Sequence, residues 1–171
     1  MQAIPYENTK QDIQTGETLD DSVFHTGQVL IIHDIRSAQN VGSLFRTSDA
    51  VGISKIYLSS ITPAPTDRFG RDRSDIAKTA LGAEKNIVWE SYSDIFSLIN
   101  KYKSDGYKIV AIEQSSKSVD YKNVEKQDKM VFILGNEVDG LSLEILNTVD
   151  IVAEIPMAGD KESLNVSVAG G

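Results

Sequence analysis

Three short stretches of this 171-residue chain carry side chains suited to chemistry. The first is D-I-R-S-A-Q-N-V-G-S-L-F-R-T-S-D-A-V-G, Asp34 to Gly52. Within it Val41, Leu44, Phe45 and Val51 recur at helical spacing and form an apolar stripe, from which Arg46 projects away. Gly42, one turn earlier, is expected to leave open space beside the guanidinium, although glycine weakens a helix by about 0.5–1 kcal/mol relative to alanine. An open guanidinium offers a forked set of donors to a phosphate or a developing oxyanion. A structural reading competes with this one: Asn40 caps the helix, Gly42 lets another element pack closely, and Arg46 pairs with Asp49 at i, i+3. The second stretch is G-N-E-V-D-G-L-S, Gly135 to Ser142. Gly135, Asn136, Asp139 and Gly140 are turn formers that can present bare backbone groups to a ligand, and Glu137 adds a carboxylate; an ordinary strand-to-helix turn would use the same residues. The third is P-M-A-G-D-K-E-S-L-N-V-S-V-A-G-G, Pro156 to Gly171. Pro156 ends a strand, and Ser163 is placed to cap a helix with Asn165 in its first turn. None of the three is a G-x-G-x-x-G, a Walker loop or a G-x-S-x-G elbow, so the common nucleotide-binding and hydrolase readings lack support.

The elements that must position these stretches follow from hydrophobic periodicity. Strands are predicted at Val29–His33, Lys55–Ser59, Ile87–Trp89, Lys108–Ile112, Met130–Leu134 and Ile151–Ile155. Helices are predicted near Val41–Val51, Ser74–Leu81, Asp94–Tyr102 and Leu143–Thr148. Short buried runs alternating with helices indicate an α/β domain with a largely parallel sheet, and such sheets place their sites at the carboxyl ends of strands. All three stretches directly follow predicted strands. Residues 1–23 are polar and aperiodic and read as a flexible arm; residues 24–171 read as one domain.

Composition narrows the chemistry. There is no cysteine, which excludes disulfides, a thiolate zinc site and a cysteine nucleophile. His25 and His33 lack the spacing of a metal pair, so no metal is expected. The chain lacks an apolar leader and any run long enough to span a membrane, and a cytoplasmic location is the default. The net charge is −8, which globally argues against a nucleic-acid partner. The window from Arg36 to Lys85 runs the other way, with eight Lys/Arg against five acids, a net +3. Its segment T-D-R-F-G-R-D-R, Thr66 to Arg73, offers Arg68, Arg71 and Arg73 for RNA phosphates and Phe69 for base stacking; a solvated loop is the competing reading.

Taken in order, the three stretches resemble the signature motifs of the SpoU/TrmH family of RNA ribose 2'-O-methyltransferases: N-V-G-S-L-F-R-T-S-D-A-V-G (Asn40–Gly52), I-L-G-N-E-V-D-G-L-S (Ile133–Ser142) and I-P-M-A-G-D-K-E-S-L-N-V-S-V-A (Ile155–Ala169). The segment K-T-A-L-G-A-E (Lys78–Glu84) is also family-like. The resemblance implies a parallel-sheet α/β fold with a deep trefoil knot in its C-terminal region, S-adenosylmethionine bound in the knot, and a homodimer with the site near the subunit interface. It implies donor contacts from Leu134, Gly135, Asn136, Glu137, Gly140, Ile155, Met157, Ser163 and Leu164. Arg46 matches the family's essential arginine beside the 2'-hydroxyl and an RNA phosphate, and Asn40, Glu137, Ser163 and Asn165 match polar residues that organise the same site. The family's arginine is often assigned as a general base. A guanidinium holds its protons too tightly and lacks a free acceptor, so phosphate holding and oxyanion stabilisation are the expected roles.

Family members typically continue into a longer C-terminal helix, so the last helix here is expected to be short, about two turns, and the knot truncated there. No dedicated RNA-binding domain is evident, and transfer or ribosomal RNA would be selected by the catalytic domain and its partner subunit. Two alternatives remain: a non-catalytic RNA-binding module that keeps the fold, and a plain nucleotide-binding protein. The first is disfavoured by Asn40, Arg46, Glu137, Ser163 and Asn165 occurring together, the second by Arg46 and the arginine segment.

Overall fold

The computed structural model describes residues 27–160 and 163–171. The predicted arm at 1–23, and His25, lie outside the described residues. In chain order the elements are β1 (Gln28–Ile32), α1 (Ala38–Val51), β2 (Lys55–Ser59), α2 (Ser74–Ala80), β3 (Val88–Tyr92), α3 (Ile95–Ser104), β4 (Lys108–Ile112), β5 (Val119–Asp120), β6 (Met130–Leu134), α4 (Leu143–Thr148), β7 (Ile151–Glu154) and α5 (Val166–Ala169). The seven strands form one sheet in the order β3-β2-β1-β6-β4-β7-β5. Every pairing is parallel, with Ile31 level with Tyr57 on one side and Ile133 on the other.

Burial follows the pleat. On β1, Val29 and Ile31 face a core filled by Leu98, Ile99 and Tyr102 of α3 and Ile145 of α4. Leu30 and Ile32 face the other way, onto Val41, Leu44 and Phe45 of α1, Ile76 of α2 and Val166 of α5. Both faces of the sheet are thus covered, which is why β1 and β6 are apolar almost throughout.

Several local expectations change; Val51 is 60% exposed and falls outside the apolar stripe of α1, and α5 has four residues, about one turn rather than two. Helix α1 begins at Ala38 because Ser37, not Asn40, is its N-cap; the Ser37 hydroxyl accepts from the Asn40 N–H at 3.2 Å. Strand β3 runs Val88–Tyr92 rather than Ile87–Trp89. Strand β5 was not predicted, since two residues cannot display a period.

The chain does not add strands at one edge in sequence. Strand β6 enters between β1 and β4, and β7 between β4 and β5. Both motif loops of the C-terminal half therefore leave from the middle of the sheet, at the carboxyl ends of inserted strands. Among the described residues, no helix is long and apolar enough to cross a membrane, and no three His, Asp or Glu side chains gather as metal ligands.

Candidate functional site

The carboxyl ends of β4, β6 and β7 open into one cleft. Its floor comes from Ile112–Gln114 after β4, Leu134–Val138 and Gly140 after β6, and Glu154, Ile155 and Met157 after β7. Ser163, Leu164 and two residues of α5, Val166 and Ala169, form the remaining wall. The structure therefore brings together Leu134, Gly135, Asn136, Glu137, Gly140, Ile155, Met157, Ser163 and Leu164, the full set singled out for donor contact.

Beside this cleft lies a shallower depression bordered by Arg36, Ser37, Asn40, Asn136, Glu137, Val138, Asp139 and Asn165. Here the first stretch meets the second. The Asn40 side-chain amide donates to Glu137 Oε1 at 2.9 Å, and the Arg36 N–H to Glu137 Oε2 at 3.4 Å. Asn136 Nδ2 donates to the Asp34 carbonyl at 2.8 Å, while Asn136 Oδ1 accepts from the Val138 and Asp139 N–H groups. Asp34 itself sits in the left-handed region at φ 61°, and its N–H is held by the Ser59 hydroxyl at 2.8 Å. Behind it, His33 Nδ1 and the Tyr92 hydroxyl share a 2.6 Å hydrogen bond. Asn165 is the N-cap of α5, accepting from the Ser167 N–H at 2.9 Å; the expectation that Ser163 would cap this helix fails.

Partial burial works against the charge of Glu137. The hydrogen bonds from Asn40 and from the backbone N–H groups of Glu137, Arg36 and Ser37 outweigh it and hold the carboxyl below its ordinary value of 4.5. The folded state thus binds this proton more weakly than the unfolded state. Its stabilisation is complete above pH 4.5 and is lost as pH falls through the lowered folded-state value. The thermal midpoint of wild type minus that of Glu137→Gln should accordingly be constant from pH 7 to about pH 5 and shrink in acid. A difference that widens below pH 4.5 would contradict the clamp.

Arg46 lies apart from both features. It is six residues beyond Asn40, about 9 Å further along α1, exposed, and borders a third depression with Ser43, Thr47, Ala50, Lys78, Thr79 and Leu81. That depression shares no lining residue with the cleft. Among the described residues Arg46 forms no ion pair, so the pairing with Asp49 that the competing structural reading called for is absent. The space attributed to Gly42 is also absent: a Cβ there would collide with the Thr79 hydroxyl and stand 2.5 Å from the Ile76 carbonyl oxygen. Gly42 is a point of close approach between α1 and α2, and α2 fills what a side chain would occupy.

The arginine segment divides. Arg71 is bound twice to Asp67, at 2.8 and 2.7 Å, and Arg73 pairs with Asp75. Arg68 has no carboxylate partner among the described residues; it and Arg71 lie 4.7 and 5.1 Å from the ring of Phe69, which is 67% exposed.

Sequence reasoning missed the contribution of β4. Glu113 and Gln114 follow the apolar run I-V-A-I directly, the same signal of polar residues at a strand's carboxyl end that marked the other loops, but they carry no glycine or proline to mark a turn. Lys78, the second cation at the Arg46 depression, was likewise not singled out.

The sequence model of the SpoU rRNA Methylase family matches residues 27–171. A tRNA (guanosine(18)-2'-O)-methyltransferase of Borreliella burgdorferi is 32% identical over 139 residues, covering 81% of this chain and 60% of the relative. The 23S rRNA (guanosine-2'-O-)-methyltransferase RlmB of Neisseria meningitidis serogroup B is 29% identical over 143 residues, covering 84% and 54%. The chain thus spans little more than half the length of these curated relatives. Among solved structures, the AdoMet-bound rRNA methyltransferase of Sinorhizobium meliloti superposes with a TM-score of 0.73 at 29% identity, over 84% of this chain and 52% of that one. The TrmH/SpoU tRNA modifying enzyme of A. aeolicus gives a TM-score of 0.73 at 28% identity, over 84% and 70%. By the match of its family model, its relatives and its fold, the chain belongs to the SpoU rRNA methylase family.

Proposed function

We propose that this protein is an S-adenosylmethionine-dependent methyltransferase acting on the ribose 2'-hydroxyl of a nucleotide in transfer or ribosomal RNA, with residues 24–171 as the methyltransferase domain. The observation that carries the reading is the convergence of the family's second and third motifs on one cleft, with the first motif bonded to its rim through Asn40 and Glu137. The cleft fits the donor chemically. Ile112, Leu134, Ile155, Met157 and Leu164 give apolar walls for a purine and a thioether chain, and Glu137 and Glu154 supply acceptors for hydroxyl groups and a cation. The donor brings a methyl group already activated on a sulfonium, so the protein has to position the acceptor and manage one proton.

In this reading the acceptor ribose enters the depression held by Asn40, Glu137 and Asn165. Asn40 and Asn165 orient the sugar, and Glu137 keeps Asn40 in place. Arg46, held apart from this depression in its own chain, reaches the acceptor across the subunit boundary. There it holds an RNA phosphate by a forked contact and stabilises charge as the 2'-oxygen loses its proton to phosphate or water. We further propose that the C-terminal segment is threaded as a trefoil knot, a reading supported by the insertion of β6 and β7 between earlier strands, and that the protein works as a cytoplasmic homodimer. Two observations support the dimer: Leu81, an exposed apolar side chain bordering the Arg46 depression, and the separation of Arg46 from its own chain's cleft.

Methyl transfer from tritium-labelled donor to unmodified transfer and ribosomal RNA, followed by mapping of the modified ribose, tests the function. Donor binding without transfer to any RNA would favour the non-catalytic RNA-binding module. The ion pairs give a sharper expectation for the arginine segment. Arg68→Ala should lower the slope of log K against log salt by about 0.7–0.9, one phosphate contact. Arg71→Ala and Arg73→Ala should change it less, because Asp67 and Asp75 already occupy those guanidinium groups. Filter binding across a salt series reads this; an unchanged slope for the triple variant would exclude the segment from the interface.

A further inference from the structure

We infer that Glu113 is a positioning residue for the methyl donor: its carboxylate ties the end of β4 to the Gly135–Ser142 loop and sets the shape in which that loop receives the ligand. The inference rests on the reading of the cleft as the donor site. Glu113 is half-buried, and both of its carboxylate oxygens are committed to backbone amides. Oε2 accepts from the Leu141 N–H at 3.0 Å and Oε1 from the Gln114 N–H at 2.9 Å. Its own N–H donates to the Ala153 carbonyl at 2.9 Å. One residue therefore joins the ends of β4 and β7 to the loop that follows β6, the three lines of chain that make the cleft floor.

The loop is built around this side chain. Gly140 has φ 65°, a conformation that side chains resist. A Cβ at Gly140 would run into Glu113 Oε2 and stand 3.0 Å from its Cδ. The carboxylate thus occupies the place where residue 140 would carry its side chain. The next residue, Leu141, is 6% exposed and packs in the core with Ile145, so the tether is fixed at both ends. A neighbouring wall carboxylate is held in a similar way, the Ser118 hydroxyl donating to Glu154 Oε2 at 2.7 Å. Among the described residues Glu113 forms no ion pair. A carboxylate spent on two amides in a loop lacking a regular ladder preorganises that loop, and a preorganised loop binds its ligand without first being ordered.

Glutamine keeps one acceptor and turns an NH2 toward the other N–H; alanine removes both acceptors. With the full chain, S-adenosylmethionine titrated calorimetrically should bind Glu113→Ala about ten- to a hundredfold more weakly than wild type, the loss expected for a charge-assisted hydrogen bond, with Glu113→Gln between the two. The KM for donor should rise in parallel, with kcat at saturating donor and the KM for RNA within about twofold of wild type. In ligand-free protein, amide hydrogen exchange at Leu141 should accelerate in the same order of variants. Unchanged donor affinity in Glu113→Ala, unchanged Leu141 exchange, or a fall in kcat without a rise in donor KM each overturns the inference. Where Glu113→Ala fails to fold, Glu113→Gln decides by the same criteria. Wild-type protein that takes up no donor overturns the donor reading and this inference together. Wild-type uptake with unaltered variants overturns this inference alone.

Discussion

Arg46→Ala is expected to slow methyl transfer by about 10²–10³-fold, the cost of removing one donor to a developing oxyanion, while leaving donor affinity within about twofold of wild type. The separation of the two effects comes from geometry. Arg46 borders the α1–α2 depression and none of the cleft, so truncating it removes no wall of the donor site. Arg46→Lys keeps the charge and loses the planar fork, and should recover only a small part of the rate. Single-turnover transfer with saturating donor, read beside calorimetric donor binding, measures both. Near-wild-type turnover in the lysine variant would contradict the forked contact. A parallel loss of donor binding in the alanine variant would place Arg46 in the wrong site.

The second large effect falls on stability. Gly42→Ala should destabilise the protein by about 2–3 kcal/mol, the upper part of the range for overpacking, because two contacts fall below van der Waals distance. Alanine would ordinarily strengthen an isolated helix at this position. Here its methyl group meets the Thr79 hydroxyl and lies 2.5 Å from the Ile76 carbonyl oxygen, a backbone atom that can retreat only if α2 moves as a whole. The midpoint of thermal unfolding should drop by about 4–12 °C for a chain of this size. Thr79→Ala in the same chain removes one of the two collisions and should restore part of the loss, a coupling that a double-mutant cycle reads directly. A stabilised Gly42→Ala would show that α1 and α2 are not held as closely as the structure has them.

Much of the architecture was legible because the parallel sheet is buried on both sides. Strands β2, β4 and β6 match their apolar runs residue for residue, since a strand covered on both faces shows no polar interruption except at its ends. Where the reading erred, short polar side chains had more than one use. Ser37 and Asn40 can each cap a helix, and only the folded structure shows which does: the Ser37 hydroxyl accepts from the Asn40 N–H, and the Asn40 side-chain amide turns to Glu137. For Gly42 both open space and the close packing of another element were readable, and the structure bears out the second, which a sequence alone does not decide because it does not show what packs against a glycine. The gathering of the second and third stretches at one cleft was foreseeable from strand ends alone, whereas the distance between that cleft and Arg46 was not. A residue's position along a helix is plain in the sequence, but the face it shares with a distant loop depends on strand order. Pairing within the arginine segment was hidden for a related reason, since Asp67, Arg71, Arg73 and Asp75 are close enough in sequence to pair in several ways.

The late insertion of β6 between β1 and β4 also bears on how the protein comes into being. As the chain leaves the ribosome, β1, β2 and β3 can pair with one another, but β4 and β5 have no partner in the sheet until β6 and β7 arrive, and β1 presents an unsatisfied row of backbone groups on the side β6 will take. Gln28 must wait for Met130 before its pairing can form, a long-range closure of the kind that makes folding slow. The cleft follows β6 and β7, so it forms only once both strands have entered the sheet. A ligand of the cleft can therefore stabilise only chains whose sheet has already closed.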